Sequence, residues 1–197
     1  MADLLSFDGL VQIIHDVLDQ LPDVRRGKNL TYAIKDAALG AFAVFFTQSP
    51  SFLAHQQTLR QAKGSSNAER LFGITHIPCD NQIRTLLDPV PPEHLLPIFS
   101  TITQALTAMG SVDTFRAFDD TVLIALDGTQ YFSSQRISCP KCTHKTAANG
   151  TVTYSHSAIT PVIVAPGRAE VLPLAPEFIT PQDGQAKQDC EQEAAKR

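Results

Sequence analysis

No stretch of the 197-residue chain is apolar for long enough to approach a membrane span, so membrane-crossing helices are not among its expected elements. An excess of positive charge is lacking too: 16 Lys and Arg stand against 20 Asp and Glu, and residues 1–110 carry eight basic against ten acidic side chains. A bulk basic signature for nucleic acid is therefore missing, and any DNA contact has to rest on local patches. The opening Met1-Ala2-Asp3-Leu4-Leu5-Ser6 has neither the basic start nor the apolar core of a signal peptide. With only four cysteines, the expectation is a reducing, cytoplasmic setting. There a Cys-X-X-Cys pair is more often metal-binding or redox-active than a structural disulfide. Asn149-Gly150-Thr151 fits a glycosylation sequon, but nothing else points to secretion. The length suffices for a proper core, in one domain or two small ones.

What is present changes character near residue 118, helical before it and strand-like after it. Leu10, Ile13, Ile14, Val17, Leu18 and Leu21 recur at three- and four-residue steps and predict a helix that Pro22 closes. A long, heavily apolar helix is expected over residues 29–47, with Phe42, Phe45 and Phe46 read most simply as core. Ser49-Pro50-Ser51 can cap a third helix through about residue 62. Gly64-Ser65-Ser66-Asn67 reads as a connector, followed by short helices over residues 68–72, 80–87 and 92–109. Asp88-Pro89-Val90-Pro91-Pro92 separates the last two.

The helix at 80–87 has polar readers. With Asp80 as N-cap, Ile83, Leu86 and Leu87 face inward and Asn81, Gln82, Arg84 and Thr85 face outward. Those outward types bond base edges and phosphates when a helix enters the major groove, although an ordinary amphipathic surface helix has the same pattern. Arg25, Arg26 and Lys28 form a small basic cluster that can hold a nucleic-acid backbone or be a solvated loop.

The second half reads as a meander of strands over residues 121–132, 151–165 and 169–174, with Ala165-Pro166-Gly167-Arg168 as a turn. The first contains Val122-Leu123-Ile124-Ala125-Leu126, a run that reads as a central strand covered on both faces. It ends abruptly in Asp127-Gly128. A carboxylate at such a strand end binds a metal, pairs with a base or points into water, since a buried unpaired charge is costly. The alternative is an Asp-Gly hairpin turn.

Cys139-Pro140-Lys141-Cys142 has the spacing of half a zinc knuckle. A complete Zn²⁺ site needs four ligands; of the donors Cys139, Cys142, His144, His156 and Cys190, the expected set is Cys139 and Cys142 with His156 from the next strand and Cys190 from the terminal helix, and otherwise the pair is a reduced dithiol in a loop. Thioredoxin-like redox chemistry is disfavoured because the pair does not open a helix after a strand. His15, His55, His76 and His94 read as surface or helix-face residues rather than ligands.

Several stretches together carry a resemblance. These are residues 29–37, Phe45-Phe46-Thr47-Gln48-Ser49-Pro50-Ser51-Phe52-Leu53, Ile77-Pro78-Cys79-Asp80-Asn81-Gln82-Ile83-Arg84, Leu126-Asp127-Gly128-Thr129-Gln130-Tyr131-Phe132-Ser133-Ser134 and Pro176-Glu177-Phe178-Ile179 through Lys187-Gln188-Asp189-Cys190-Glu191. Along nearly its whole length the chain resembles the N-terminal half of a bacterial insertion-sequence transposase of the DDE type. The resemblance implies an α+β chain: a helical DNA-binding region over residues 1–117, then the opening strands and first helix of an RNase H-like mixed sheet over 118–197, incomplete, with the Cys-X-X-Cys insertion at 133–150. In such a core the first strand ends in the first acidic ligand, a position that Asp127 matches. Paired Mg²⁺ ions held by three carboxylates support in-line attack on phosphorus, and the second Asp and final Glu have no counterpart in these residues. The expectation is a transposase fragment that binds transposon terminal repeats, is nucleoid-associated and is catalytically inactive by itself. A second copy of the chain or a full-length transposase is an expected partner. The alternative is a noncatalytic DNA-binding product that inhibits transposition, or a decayed remnant.

Overall fold

A computed structural model describes residues 4–26, 30–62, 67–74, 77–181 and 191–196. The chain is α+β and divides into two compact units, Met1–Ala105 and Leu106–Arg197. No helix among the described residues is long and apolar enough to cross a membrane.

The first unit is helical. Helix α1 (Phe7–Leu18) starts where the Ser6 side chain accepts from the Gly9 N–H, and it buries Ile13, Val17 and Leu18. Helix α2 (Ile34–Phe46) begins later than its apolar pattern suggests, at a turn where the Asp36 carboxylate accepts from the Ala33 N–H. It is the axis of the unit. Leu39 and Ala43 pack with Leu18, Ala68, Phe72 and Ile74, while Ile34 and Ala37 pack with Ile83 and Leu86. An element buried on two sides must be apolar nearly all round, as this one is. Gly40 lets a neighbour approach closely, since a Cβ there would stand 2.9 Å from Ile77 Cγ2.

Not all the phenylalanines expected in the core are there: Phe45 is 75% and Phe46 48% exposed. They lie in the last turn of α2, whereas Phe72 is buried and takes the edges of the Phe42 and Phe46 rings. Helix α3 (Phe52–Gln61) is capped by Ser51, whose side chain accepts from the Ala54 N–H. It buries His55, contrary to the expectation of a surface histidine; His55 is 4% exposed, with Nδ1 bonded to the Ser49 hydroxyl at 2.9 Å. Helices α4 (Asn67–Phe72) and α5 (Asp80–Leu87) follow, then a 3₁₀ turn (Pro92–Leu95) running into α6 (Leu96–Ala108).

In the second unit the first expected strand is two, β2 (Thr121–Ala125) and β3 (Gly128–Ser134), interrupted at Leu126-Asp127. The second expected strand is also two, β5 (Val152–Ile159) and β6 (Val162–Val164), interrupted at Thr160-Pro161, where proline has no N–H to give the ladder. β2 pairs with β6 and β3 with β5, and the Thr160 N–H bonds the Asp127 carbonyl at 2.9 Å across the interruption. Asp127-Gly128 is therefore not a hairpin turn; the chain continues through it. The third expected strand is reduced to β7 (Leu172–Pro173) on β6, and an unexpected β8 (Glu177–Ile179) lies on β5. A short β1 (Arg116–Ala117) borders β2, and β4 (Thr143–Thr146) pairs with β5 inside the region read as an insertion.

Every described pairing is antiparallel, as expected of the opening strands. The turn at 165–168 is borne out, with Pro166 leading Gly167 at φ 75° and the Arg168 N–H bonded to the Ala165 carbonyl. Asn149-Gly150 makes the β4–β5 hairpin turn. The apolar run before Asp127 is not covered on both faces, for Ile124 and Leu126 are each 53% exposed. A run of apolar residues records a strand but not how many of its faces are covered. Helix α7 (Glu191–Ala194) closes a small core of Ile159, Ile179 and Ala194.

Candidate functional site

The tightest gathering of reactive side chains lies on the central strand β5. Pro140 leads a turn in which the Cys142 N–H bonds the Cys139 carbonyl at 3.0 Å, bringing the two thiols to one side. Their sulfurs are 3.7 Å apart, and His156 Nε2 is 3.3 Å from Cys139 Sγ and 3.2 Å from Cys142 Sγ. Cys139, Cys142 and His156 form a cluster that can hold a metal ion such as zinc. A tetrahedral zinc with bonds of about 2.3 Å to sulfur and 2.0 Å to nitrogen sets its sulfurs about 3.8 Å apart and its sulfur and nitrogen about 3.5 Å apart, close to this spacing. The Cys139 N–H also donates to Cys142 Sγ at 3.2 Å.

The surroundings fix the imidazole. β3 carries an irregularity between Gln130 and Phe132, which leaves Tyr131 as an extra residue opposite β5. Its ring stacks on His156 at 5.9 Å and 13°, while the Phe132 ring lies 5.5 Å away on a tilt. Burial pushes the Cys142 thiol up, helped by Cys139 and opposed by the Cys139 N–H. Burial and then the two cysteines raise the Tyr131 hydroxyl. His144 sits on β4 opposite Tyr154, outside the cluster, and Cys190 lies outside the described residues.

Asp127 is exposed in the link between β2 and β3 and lines a hollow of 170 Å³ with Gly128, Ile159 and Glu191. The end of the exposed Glu191 side chain lies where a Cβ on Gly128 would stand, so a larger residue there would displace that carboxylate. Glu191 is far from Asp127 along the chain, so its place in the same hollow is not legible in the sequence.

In the helical unit α5 has the predicted faces: Ile83 and Leu86 are buried, while Asn81, Gln82, Arg84 and Thr85 are exposed. Its N-cap is Cys79 rather than Asp80, because Gln82 Oε1 reaches back to accept from the Cys79 N–H at 3.3 Å. The Thr85 hydroxyl donates to the Asn81 carbonyl at 2.9 Å. Arg25 lines one groove of 350 Å³ with Tyr32, Asn81, Gln82 and Thr85, so the fold unites two separate stretches of sequence. Arg25 is itself engaged, forking onto Asp23 at 2.6 and 2.8 Å and donating to the Tyr32 carbonyl at 2.8 Å. That pairing holds the Asp23 carboxyl below the usual carboxylate range. Arg26 is exposed, and Lys28 lies outside the described residues.

No known protein family, curated protein or solved structure matches this chain.

Proposed function

We propose that the chain is the end-binding and first-carboxylate portion of a DDE-type transposase, with an RNase H-like core begun in residues 118–197. The observation that carries the reading is the setting of Asp127. It interrupts the first long strand tract of an antiparallel arrangement that a helix follows in sequence, and Glu191, in the described part of that helix, lines the same hollow. Carboxylate oxygens suit Mg²⁺, which in the complete enzyme would stabilise charge on attacking and leaving oxygens during strand cleavage and transfer. Asp127 would hold it, and Asn81, Arg84 and Thr85 would face transposon-end DNA, with Arg26 and Lys28 on the backbone. Arg25 would brace the groove rather than meet phosphate.

A noncatalytic DNA-binding product is the second reading, favoured by the exposed polar face of α5. The test is binding of the chain to its own element's terminal-repeat duplex and to a scrambled duplex across a salt series. Selective binding, weakened by about 1–3 kcal/mol in Asn81→Ala or Arg84→Ala, supports end recognition. Equal, weak binding to both duplexes overturns it. Asp127→Asn separates the two readings: it abolishes the strand cleavage of an assembled complex under the first and leaves DNA binding unchanged under both.

A further inference from the structure

We infer that Cys139, Cys142 and His156 bind one Zn²⁺ ion, and that this ion is a structural clasp fastening the loop between β3 and β4 to the central strand. The inference is independent of DNA binding. Three donor atoms converge with separations of 3.2, 3.3 and 3.7 Å, and two of them are sulfurs. Without a cation the three groups have only weak sulfur hydrogen bonds to one another, Cys142 to Cys139 at 3.7 Å and the thiols to Nε2, and Cys142 is buried. A borderline-soft divalent ion satisfies all three at once, and an S₂N donor set selects zinc over Mg²⁺, which requires oxygen.

The role follows from what else holds this segment. Residues 135–141 are exposed throughout, and Ile137, the one large apolar side chain among them, packs against no core. A loop with so few apolar contacts has little to offset the entropy of ordering it. A metal bonded to Cys139, Cys142 and His156 supplies that restraint, and the ligand imidazole already stacks on the Tyr131 ring and touches the tilted Phe132 ring. Among the described residues no other His, Cys, Asp or Glu joins the group, so the remaining coordination position is not filled by them.

Cobalt(II) substitution tests the assignment, because thiolate-to-cobalt charge transfer and tetrahedral d–d bands report sulfur ligation directly. The reduced full chain is titrated with Co²⁺ and then Zn²⁺, beside Cys139→Ser, Cys142→Ser, His156→Ala and His144→Ala, with amide hydrogen exchange followed over residues 135–146. The expected result is a stoichiometric thiolate band that Zn²⁺ displaces and His144→Ala keeps. Cys139→Ser, at an exposed position that leaves the strands intact, weakens metal binding by upward of ~10-fold. Zinc slows exchange in the loop, and Cys139→Ser removes that slowing. No thiolate band from the reduced chain, a band that survives Cys139→Ser, or zinc without effect on loop exchange would overturn the inference.

Discussion

The two units are stabilised differently. Residues 1–105 wrap helices around α2, which feeds two buried clusters at once, whereas the sheet unit has one small cluster of Ile159, Ile179 and Ala194 and leaves Ile124, Leu126 and Tyr131 exposed. Periodic apolar residues are enough for the first. In the second, backbone ladders and a few point attachments carry more of the load: the Cys139, Cys142 and His156 cluster, and Arg168 stacked 4.7 Å over Phe115 while bonding the Thr114 hydroxyl. A small sheet with uncovered apolar positions depends on such attachments because little of its surface is removed from water.

The comparison breaks most visibly on metal removal. Chelation should loosen residues 128–159 and leave the helical unit unchanged, read by hydrogen exchange resolved along the chain; equal loosening of both units would erase the distinction. Next in size is Phe72→Ala, which empties the first helical cluster and should cost about 3–5 kcal/mol in denaturant unfolding without altering Co²⁺ binding by the sheet unit. Gly40→Val should cost about 1–3 kcal/mol by forcing Ile77 away from α2, and a neutral result would mean that Ile77 can move.

A subtler difference is pH dependence. Burial lowers the pKa of His55, whose Nε2 has no hydrogen-bond partner, so the unfolded chain binds the proton more readily than the folded one. The helical unit should lose stability as pH falls below the unfolded value of about 6.5 and approaches the depressed folded one. His55→Gln should flatten that slope in urea titrations between pH 7 and 5. The smallest effect belongs to the β1–β2 turn, where Phe118, Asp119 and Asp120 all have positive φ. Asp119→Gly should relieve strain there and raise stability by roughly 0.5 kcal/mol, measured as a shift in melting temperature.

Local chemistry written in adjacent residues was the most legible. Helix α5 has its predicted bounds and faces because Ile83 and Leu86 fall one turn apart, and Ser51 caps α3 as its position suggests. The turn at Pro166-Gly167 needed only the residues that form it. Asn149-Gly150 is equally local, yet its sequon pattern masks the hairpin that brings β4 onto β5. The two interruptions at Leu126-Asp127 and Thr160-Pro161 were harder to see, since the apolar pattern runs through them, although Pro161 marked one. β8 was missed because Pro176 and Pro181 bracket too few residues to display a period.

By itself, then, the amino-acid sequence determined the division between helical and strand-forming halves, the polar face of α5 and the Cys-Pro-Lys-Cys turn, all set by residues within a turn or two of each other. Only the tertiary structure decided that His156 Nε2 comes within 3.3 Å of both thiols, that Arg25 joins the α5 groove while bound to Asp23, and that Glu191 lies over Gly128 beside Asp127. The reason is physical: strand register and helix docking choose among chemically equivalent side chains by geometry. A strand's alternation says which residues share a face, but the partner strand says which of them meet.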